Sequence, residues 1–221
     1  VSSTDLRSKN GQQLMGFIGD NAIIPKHIDE LSYVNGMQAV AVFTENERIR
    51  REAQARGLAV CDSLDELFDS VDSVYIASDP TLHRIHVERS LEAGKDVLCE
   101  MPIALNVVDF DRLTALADEK GLVLMDGLKT AYSTAYHRLK LLVKSGRIGN
   151  VVSIKGACTS LRDLAGIDMN GEWNSICTWG PTALLPVFQL LGCGEFKVDI
   201  TSKLINGWQD FDVFSKIDLY S

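Results

Sequence analysis

The residues whose types and spacing suit chemistry begin at Gly19-Asp20-Asn21-Ala22-Ile23-Ile24. This loop follows a short apolar run, Leu14–Ile18, and opens a helix-like segment, Ala22–Val34. A strand-to-helix loop with glycines in a Gly-x-Gly-x-x-Gly pattern cradles the pyrophosphate of a dinucleotide on main-chain N–H groups. Here the three glycine places hold Gly19, Asn21 and Ile24. Gly19 makes the turn. Asn21 is the best substitute for glycine at a positive φ. Ile24 is expected to push the helix away from the strand, and Asp20 to set a carboxylate at the helix N-terminus, in competition with phosphate. The segment reads either as a nucleotide loop or as a plain strand-to-helix turn capped by Asp20 or Asn21. At the end of the next strand a dinucleotide domain needs an acid to accept from the ribose 2′-hydroxyl. Thr44-Glu45 stands there. Glu45 either takes that part, disfavouring a 2′-phosphate with Arg48 as the nearby counterweight, or is the solvated first turn of a helix.

The elements that would hold these residues alternate. Leu14–Ile18, Met37–Phe43, Val71–Ala77, Val97–Cys99 and Leu122–Met125 read as strands. Helices are expected at Ala22–Val34, Glu45–Arg56, Ser63–Phe68, Leu82–Ala93, Val107–Lys120 and Ser133–Ser145. Gly57, Gly94, Gly121 and Gly146 close four of them. Ser63 with Glu66 forms a capping box, and Asp79-Pro80 is a helix start. Alternation of this kind gives an α/β fold, a doubly wound parallel sheet with helices on both faces. Near Asn150 the pattern changes. Val151–Thr159 reads as a longer strand, Asp163–Ser175 as a loop, Gly180–Leu191 as a helix, and Phe196–Lys203 and Phe211–Tyr220 as strands. Two domains follow: 12–148, nucleotide-binding in type, and 149–221, the start of an α+β domain with a mostly antiparallel sheet. That sheet ends on an unfinished edge, which further chain or a partner would complete.

Composition narrows the classes. A net charge of −8 disfavours nucleic acid and anionic membrane surfaces. No apolar run reaches the length of a membrane span, and no signal sequence opens the chain. The five cysteines, Cys61, Cys99, Cys158, Cys177 and Cys193, form no Cys-x-x-Cys pair. Reduced cytoplasmic thiols are therefore expected, with no metal site and no disulfide framework.

Several segments together resemble the Gfo/Idh/MocA oxidoreductases, nearest the dihydrodiol-dehydrogenase-like branch. These are Gly16-Phe-Ile-Gly19, Tyr75-Ile-Ala-Ser78 with Leu82-His83, Ala93-Gly-Lys-Asp-Val-Leu-Cys-Glu-Met-Pro102, Met125-Asp-Gly-Leu128 and Ser145-Gly-Arg-Ile-Gly149. The resemblance implies a Rossmann domain with NAD or NADP as cofactor, and hydride transfer on a sugar, polyol or related cyclic alcohol or ketone. Carried over place by place, it puts cofactor contacts at Gly19, Asn21, Ile23, Thr44, Glu45, Ser78, His83, Glu100 and Met101. It also implies a homo-oligomer built through the second-domain sheet.

The same resemblance exposes departures. The Lys of Glu-Lys-Pro, which moves the substrate proton in the family, is Met101 here, and a thioether neither gives nor takes a proton usefully. The family Asp and Tyr/His of Asp-x-Gly-x-(Tyr/His) are Thr178 and Thr182. Pro80 replaces an Asn. Lys129, His83 and Thr182 are left as candidates for acid–base work, each with an ordinary structural explanation beside it. Three functions stay open: an oxidoreductase with an altered proton path; a catalytically inactive relative that senses a ligand, regulates or scaffolds, with no cofactor if the loop no longer takes a pyrophosphate; or a binder of a different nucleotide or sugar phosphate in the crevice at the strand ends, with Arg138 and Lys155 as candidate basic residues.

Overall fold

The computed structural model describes residues 11–159, 175–205 and 212–220. Packing divides the chain into two units, one ending at Gly127 and one starting at Leu128. The sequence pattern sets its boundary at 148/149, after the helix that here packs with the second unit.

The first unit alternates β1 (Gln13–Ile18), α1 (Ile24–Leu31), β2 (Met37–Phe43), α2 (Glu47–Ala55), β3 (Ala59–Cys61) and α3 (Leu64–Ser70). It continues with β4 (Ser73–Ile76), α4 (Pro80–Glu92), β5 (Asp96–Cys99), α5 (Val107–Lys120) and β6 (Leu124–Asp126). The six strands form one parallel sheet in the order β3-β2-β1-β4-β5-β6. Side chains leave successive strand residues on opposite faces. Met15, Phe17, Val42 and Tyr75 therefore join one core with Ile24, Ile28 and Ile49. Ile18, Ala41, Val74 and Ile76 join the other with Leu67, Val87 and Leu91.

Helix starts follow the local chemistry. Asn46 accepts from the N–H groups of Arg48 and Ile49, so α2 begins at Glu47 and Glu45 lies outside the helix. Ser63 accepts from Glu66 N–H, while the Glu66 carboxylate reaches Asp62 N–H rather than that of Ser63. Asp79 caps α4 ahead of Pro80. At the N-terminal rim of the sheet, two carboxylates take strand N–H groups. Asp72 accepts from Leu14 at 2.9 Å and Asp96 from Val123 at 2.8 Å.

The second unit contains α6 (Lys129–Tyr132), α7 (Thr134–Lys144), α8 (Ser175–Leu191) and an antiparallel pair, β7 (Lys197–Leu204) with β8 (Asp212–Tyr220). Two elements escape the sequence pattern: β3 is too short to show periodicity, and α6 is a single turn. The strand expected at Val151–Thr159 is absent. This segment is irregular and pairs with no strand among the described residues. Its β-branched composition alone cannot supply a ladder partner. Residues 163–174 of the expected loop lie outside the described residues.

Helix α8 starts at Ser175, not Gly180, and carries Pro181 and Pro186 inside it. The start is held from a distance: Ser175 N–H donates to Asp212 Oδ1 at 2.8 Å, and Ser175 Oγ and Ser215 Oγ both donate to Asp212 Oδ2. Burial raises the Asp212 pKa, but the hydrogen bonds from Ser175 and Ser215 prevail and hold the carboxyl below its ordinary range. Among the described residues no helix is long and apolar enough to cross a membrane.

A depressed folded-state pKa stabilises above the unfolded value of 3.8 and is lost as pH falls through the folded value. The Asp212→Asn variant is therefore expected to lose helix α8 more readily than the parent at neutral pH. The gap should close as pH falls from 3.8 through the lower folded-state value. Hydrogen exchange at the Ser175 amide across this range checks it.

Candidate functional site

The sheet order turns about β1, which pairs with β2 on one side and β4 on the other. A crevice opens at such a switch point, outside the carboxyl ends of the strands, and ligands of open α/β sheets bind there. Gly19 leaves β1 at φ 122°, and a Cβ on it would lie 2.3 Å from Ser78 N and 2.4 Å from the Ala77 carbonyl. Main chain therefore crosses main chain with no room for any side chain. Hydrogen bonds fix the crossing: Gly19 N–H to Phe43 O at 3.0 Å, Asn21 N–H to Ala77 O at 3.1 Å.

The rest of the loop departs from expectation in three ways. Asn21 is not at positive φ; among the described residues only glycines are. Its side chain instead accepts from Ile23 N–H at 3.0 Å, and its carbonyl accepts from Ile24 N–H at 3.1 Å. Ile24 is fully buried in the core beside Phe17 and Val42, so the helix seats on the sheet around it. Asp20 does not cap α1. Its Oδ1 accepts from Thr44 Oγ1 at 2.6 Å, Glu45 N–H at 2.8 Å and Asn46 N–H at 3.0 Å. Three donors converge there, whereas the first turn of α1 has Ile23 and Ile24 N–H already bonded and Pro25 with no N–H to give.

Thr44 is buried, held between Asp20 and Asn46 N–H. Glu45 is exposed. Arg48 turns along its own helix to Glu52 at 2.8 Å.

On the other side of the crevice, Ser78, two residues past the end of β4, is buried. His83 is 1% exposed and lies between two carbonyls, with Nδ1 2.8 Å from Pro102 O and Nε2 3.1 Å from Ser78 O. A neutral imidazole has one N–H and donates to one of them. Burial lowers the His83 pKa, with the carbonyls partly opposing. Packed between these two carbonyls and bonded to one of them, His83 sits between the end of β4 and the Met101-Pro102 turn. It is a positioning residue in this geometry. His86, which the sequence reading passes over, sets Nδ1 2.9 Å from Ser78 Oγ. Its signal was the His83/His86 spacing on one helix face.

Glu100 N–H donates to Ile76 O at 2.8 Å, and the Glu100 carboxylate accepts from Tyr75 OH at 2.5 Å. Burial and Glu100 together push the Tyr75 phenol far above its ordinary range. A Cβ at Gly127 would lie 3.2 Å from the Glu100 carboxylate, so Gly127 leaves room for this anchored acid. Met101 follows, half-buried, joined to Pro102 by a cis peptide bond. Cys99 is fully buried, and burial raises its thiol well above ordinary, which removes it as a nucleophile.

Lys129, Thr178 and Thr182 belong to the second unit. Lys129 is exposed and opens α6, while Thr178 and Thr182 are half-buried one turn apart on α8. Among the described residues no group of three or more His, Cys, Asp or Glu is placed to hold a metal.

The first unit is thus a dinucleotide-binding domain in class, by sheet order, switch point and glycine crossing. The Oxidoreductase family, NAD-binding Rossmann fold (GFO_IDH_MocA) matches residues 14–128, and the chain belongs to this Gfo/Idh/MocA family. A dTDP-3,4-didehydro-2,6-dideoxy-alpha-D-glucose 3-reductase of Streptomyces violaceoruber is 37% identical over 52% of this chain and 34% of its own length. An uncharacterized oxidoreductase of Rhizobium meliloti is 32% identical over 66% of this chain and 45% of its own. A scyllo-inositol 2-dehydrogenase (NADP(+)) of Bacillus subtilis is 31% identical over 56% of this chain and 39% of its own. The chain thus spans less than half the length of these curated relatives. Among solved structures, the WlbA dehydrogenase of Bordetella pertussis, in complex with NADH and UDP-GlcNAcA, superposes with TM-score 0.85. It is 18% identical and covers 96% of this chain and 64% of that one. A 3-ketoreductase of Actinomadura kijaniata, with NADP and TDP-benzene, gives TM-score 0.83 at 22% identity, covering 94% and 66%. At these identities the two structures speak for the fold alone.

Two expectations follow. Asn21→Ala uncovers Ile23 N–H and should tighten dinucleotide binding about fivefold, the worth of one ordinary hydrogen bond; calorimetric titration checks it. His83 and His86 both have lowered pKa values. Their stabilisation is complete above the unfolded value of 6.5 and fades as pH falls below it. The urea midpoint should fall between about pH 7 and 5.5, less steeply in His83→Gln.

Proposed function

We propose that the chain carries the cofactor-binding part, and the opening of the substrate part, of an NAD(P)-dependent oxidoreductase acting on a sugar, cyclic polyol or related alcohol or ketone. The observation that carries this reading is the Gly19 crossing on Ala77-Ser78 at the sheet switch point. It is the cradle a dinucleotide needs, and a side chain at Gly19 would abolish it. The substrate class is supported by the relatives, whose names are those of sugar-nucleotide and inositol enzymes.

The nicotinamide, when bound, supplies the hydride chemistry. The protein's part is placement. Gly19 and Asn21 N–H are spent on the Phe43 and Ala77 carbonyls, so the remaining N–H groups of the loop hold the pyrophosphate, with Asn21 Oδ1 giving way at Ile23. Thr44, Glu45 and their neighbours meet the ribose. Ser78, Glu100 and Met101 border the reactive end, and His83 holds the Met101 turn to β4. Met101 presents an apolar surface where a proton carrier would stand, which keeps water from the reacting carbon. Lys129 and Thr182 are the proton-bearing side chains that remain at family positions. A homo-oligomer through β7 and β8 belongs to the same reading. The apolar side chains of Val198, Ile200, Val213 and Phe214 are exposed there.

Met101, Thr178 and Thr182 together favour a second reading, a family member that binds its ligand without turnover. Titration with NAD+, NADH, NADP+ and NADPH, followed by a screen of dTDP-sugars, inositols and sugar phosphates for change in nicotinamide absorbance, separates the two. Micromolar binding with turnover that falls at least tenfold in Lys129→Met or Thr182→Val supports the enzyme. Binding without turnover supports the second reading. No binding up to millimolar cofactor overturns the enzyme reading.

A further inference from the structure

We propose that Asp20 is a built-in anion that selects an unphosphorylated ribose, so that the site takes NAD(H) and rejects NADP(H). This rests on the dinucleotide reading above and deepens it.

The turn after β2 presents three donors to one point: Thr44 Oγ1, Glu45 N–H and Asn46 N–H. Neutral main-chain and hydroxyl donors converging on a turn make an anion-binding concavity. In a dinucleotide domain the adenosine ribose lies at this end of the second strand, and its 2′-substituent is read there. A 2′-phosphate would use just such a set of donors. Here one carboxylate oxygen of the same chain already occupies all three, at 2.6, 2.8 and 3.0 Å. The register explains how: Ile18 lies beside Phe43, so the residues after β1 and β2 emerge side by side.

Charge works in the same direction. A 2′-phosphate brought here would face Asp20 and Glu45, both acids. The nearby cations are committed elsewhere. Arg48 pairs with Glu52 at 2.8 Å, and Arg50 bonds Asp62 at 2.9 Å and the Thr44 carbonyl at 3.2 Å. A 2′-hydroxyl, by contrast, is a donor. Asp20 Oδ2, not engaged in the turn, is an acceptor for it. One carboxylate therefore serves twice, closing the turn with one oxygen and reading the ribose with the other. The arrangement moves selection from the acid at the end of β2, where Thr44 stands, to the loop after β1.

The test is calorimetric titration of NAD+ and NADP+ into the parent chain, Asp20→Ala and Asp20→Asn, with thermal melts of each. The parent should bind NAD+ at least tenfold more tightly than NADP+. Asp20→Ala frees the three donors and should improve NADP+ at least tenfold while weakening NAD+. Asp20→Asn keeps the shape without the charge, and should narrow the preference even if Asp20→Ala folds poorly. Equal affinity of the parent for both cofactors, or equal changes in both with either variant, overturns the Asp20 assignment and leaves the dinucleotide reading standing. Failure of the parent to bind either cofactor overturns the dinucleotide reading, and the assignment with it.

Discussion

Everything at the carboxyl rim of the first unit depends on one contact between backbones, Gly19 against Ala77-Ser78. Because no Cβ fits, β1 and β4 can end at the same level and the loop between β1 and α1 can lie flat across both. That places Asn21 on Ala77 O, frees the chain to turn Asp20 toward β2, and leaves α1 to seat on its buried Ile24. Other elements adjust around this contact. The isoleucine at the last glycine place shows that helix-to-strand packing has another solution, whereas Gly19 has none.

A second constraint governs the opposite wall. His83 is packed between two carbonyls that belong to separate loops, at the end of β4 and at Pro102. The Tyr75–Glu100 hydrogen bond fixes the residue just before Met101 from the other side of the sheet. Met101 is therefore held by neighbours that are each buried or half-buried. The thioether occupies a defined place on an intact frame.

Much of this frame was legible in the residues. Apolar runs such as Met37–Phe43 mark parallel strands because both faces are covered, and Asp79-Pro80 and Asn106 announce their helices locally. The resemblance at Ala93–Pro102 gave the family. What stayed hidden was set by distant partners. The side chain of Asp20 had a choice between the helix after it and the turn after β2, and only the β1–β2 register decides between them. Helix α8 begins at Ser175 because Asp212, far along the chain, takes its N–H. The segment 151–159 looked like a strand on composition, but composition does not provide a neighbour. The site was half legible for the same reason: residue types at family positions could be read, while the direction of each carboxylate could not.

The two rims of the sheet are secured by different means. At the amino rim, Asp72 and Asp96 use side-chain oxygens to fasten Leu14 and Val123. At the carboxyl rim, main-chain bonds from Gly19, Asn21 and Glu100 hold the loops. Main-chain bonds do not depend on residue identity, so the carboxyl rim, Gly19 apart, can exchange side chains while its scaffold persists. That division gives evolutionary latitude: a thioether at Met101 or a carboxylate at Asp20 can come or go without the sheet registering the change.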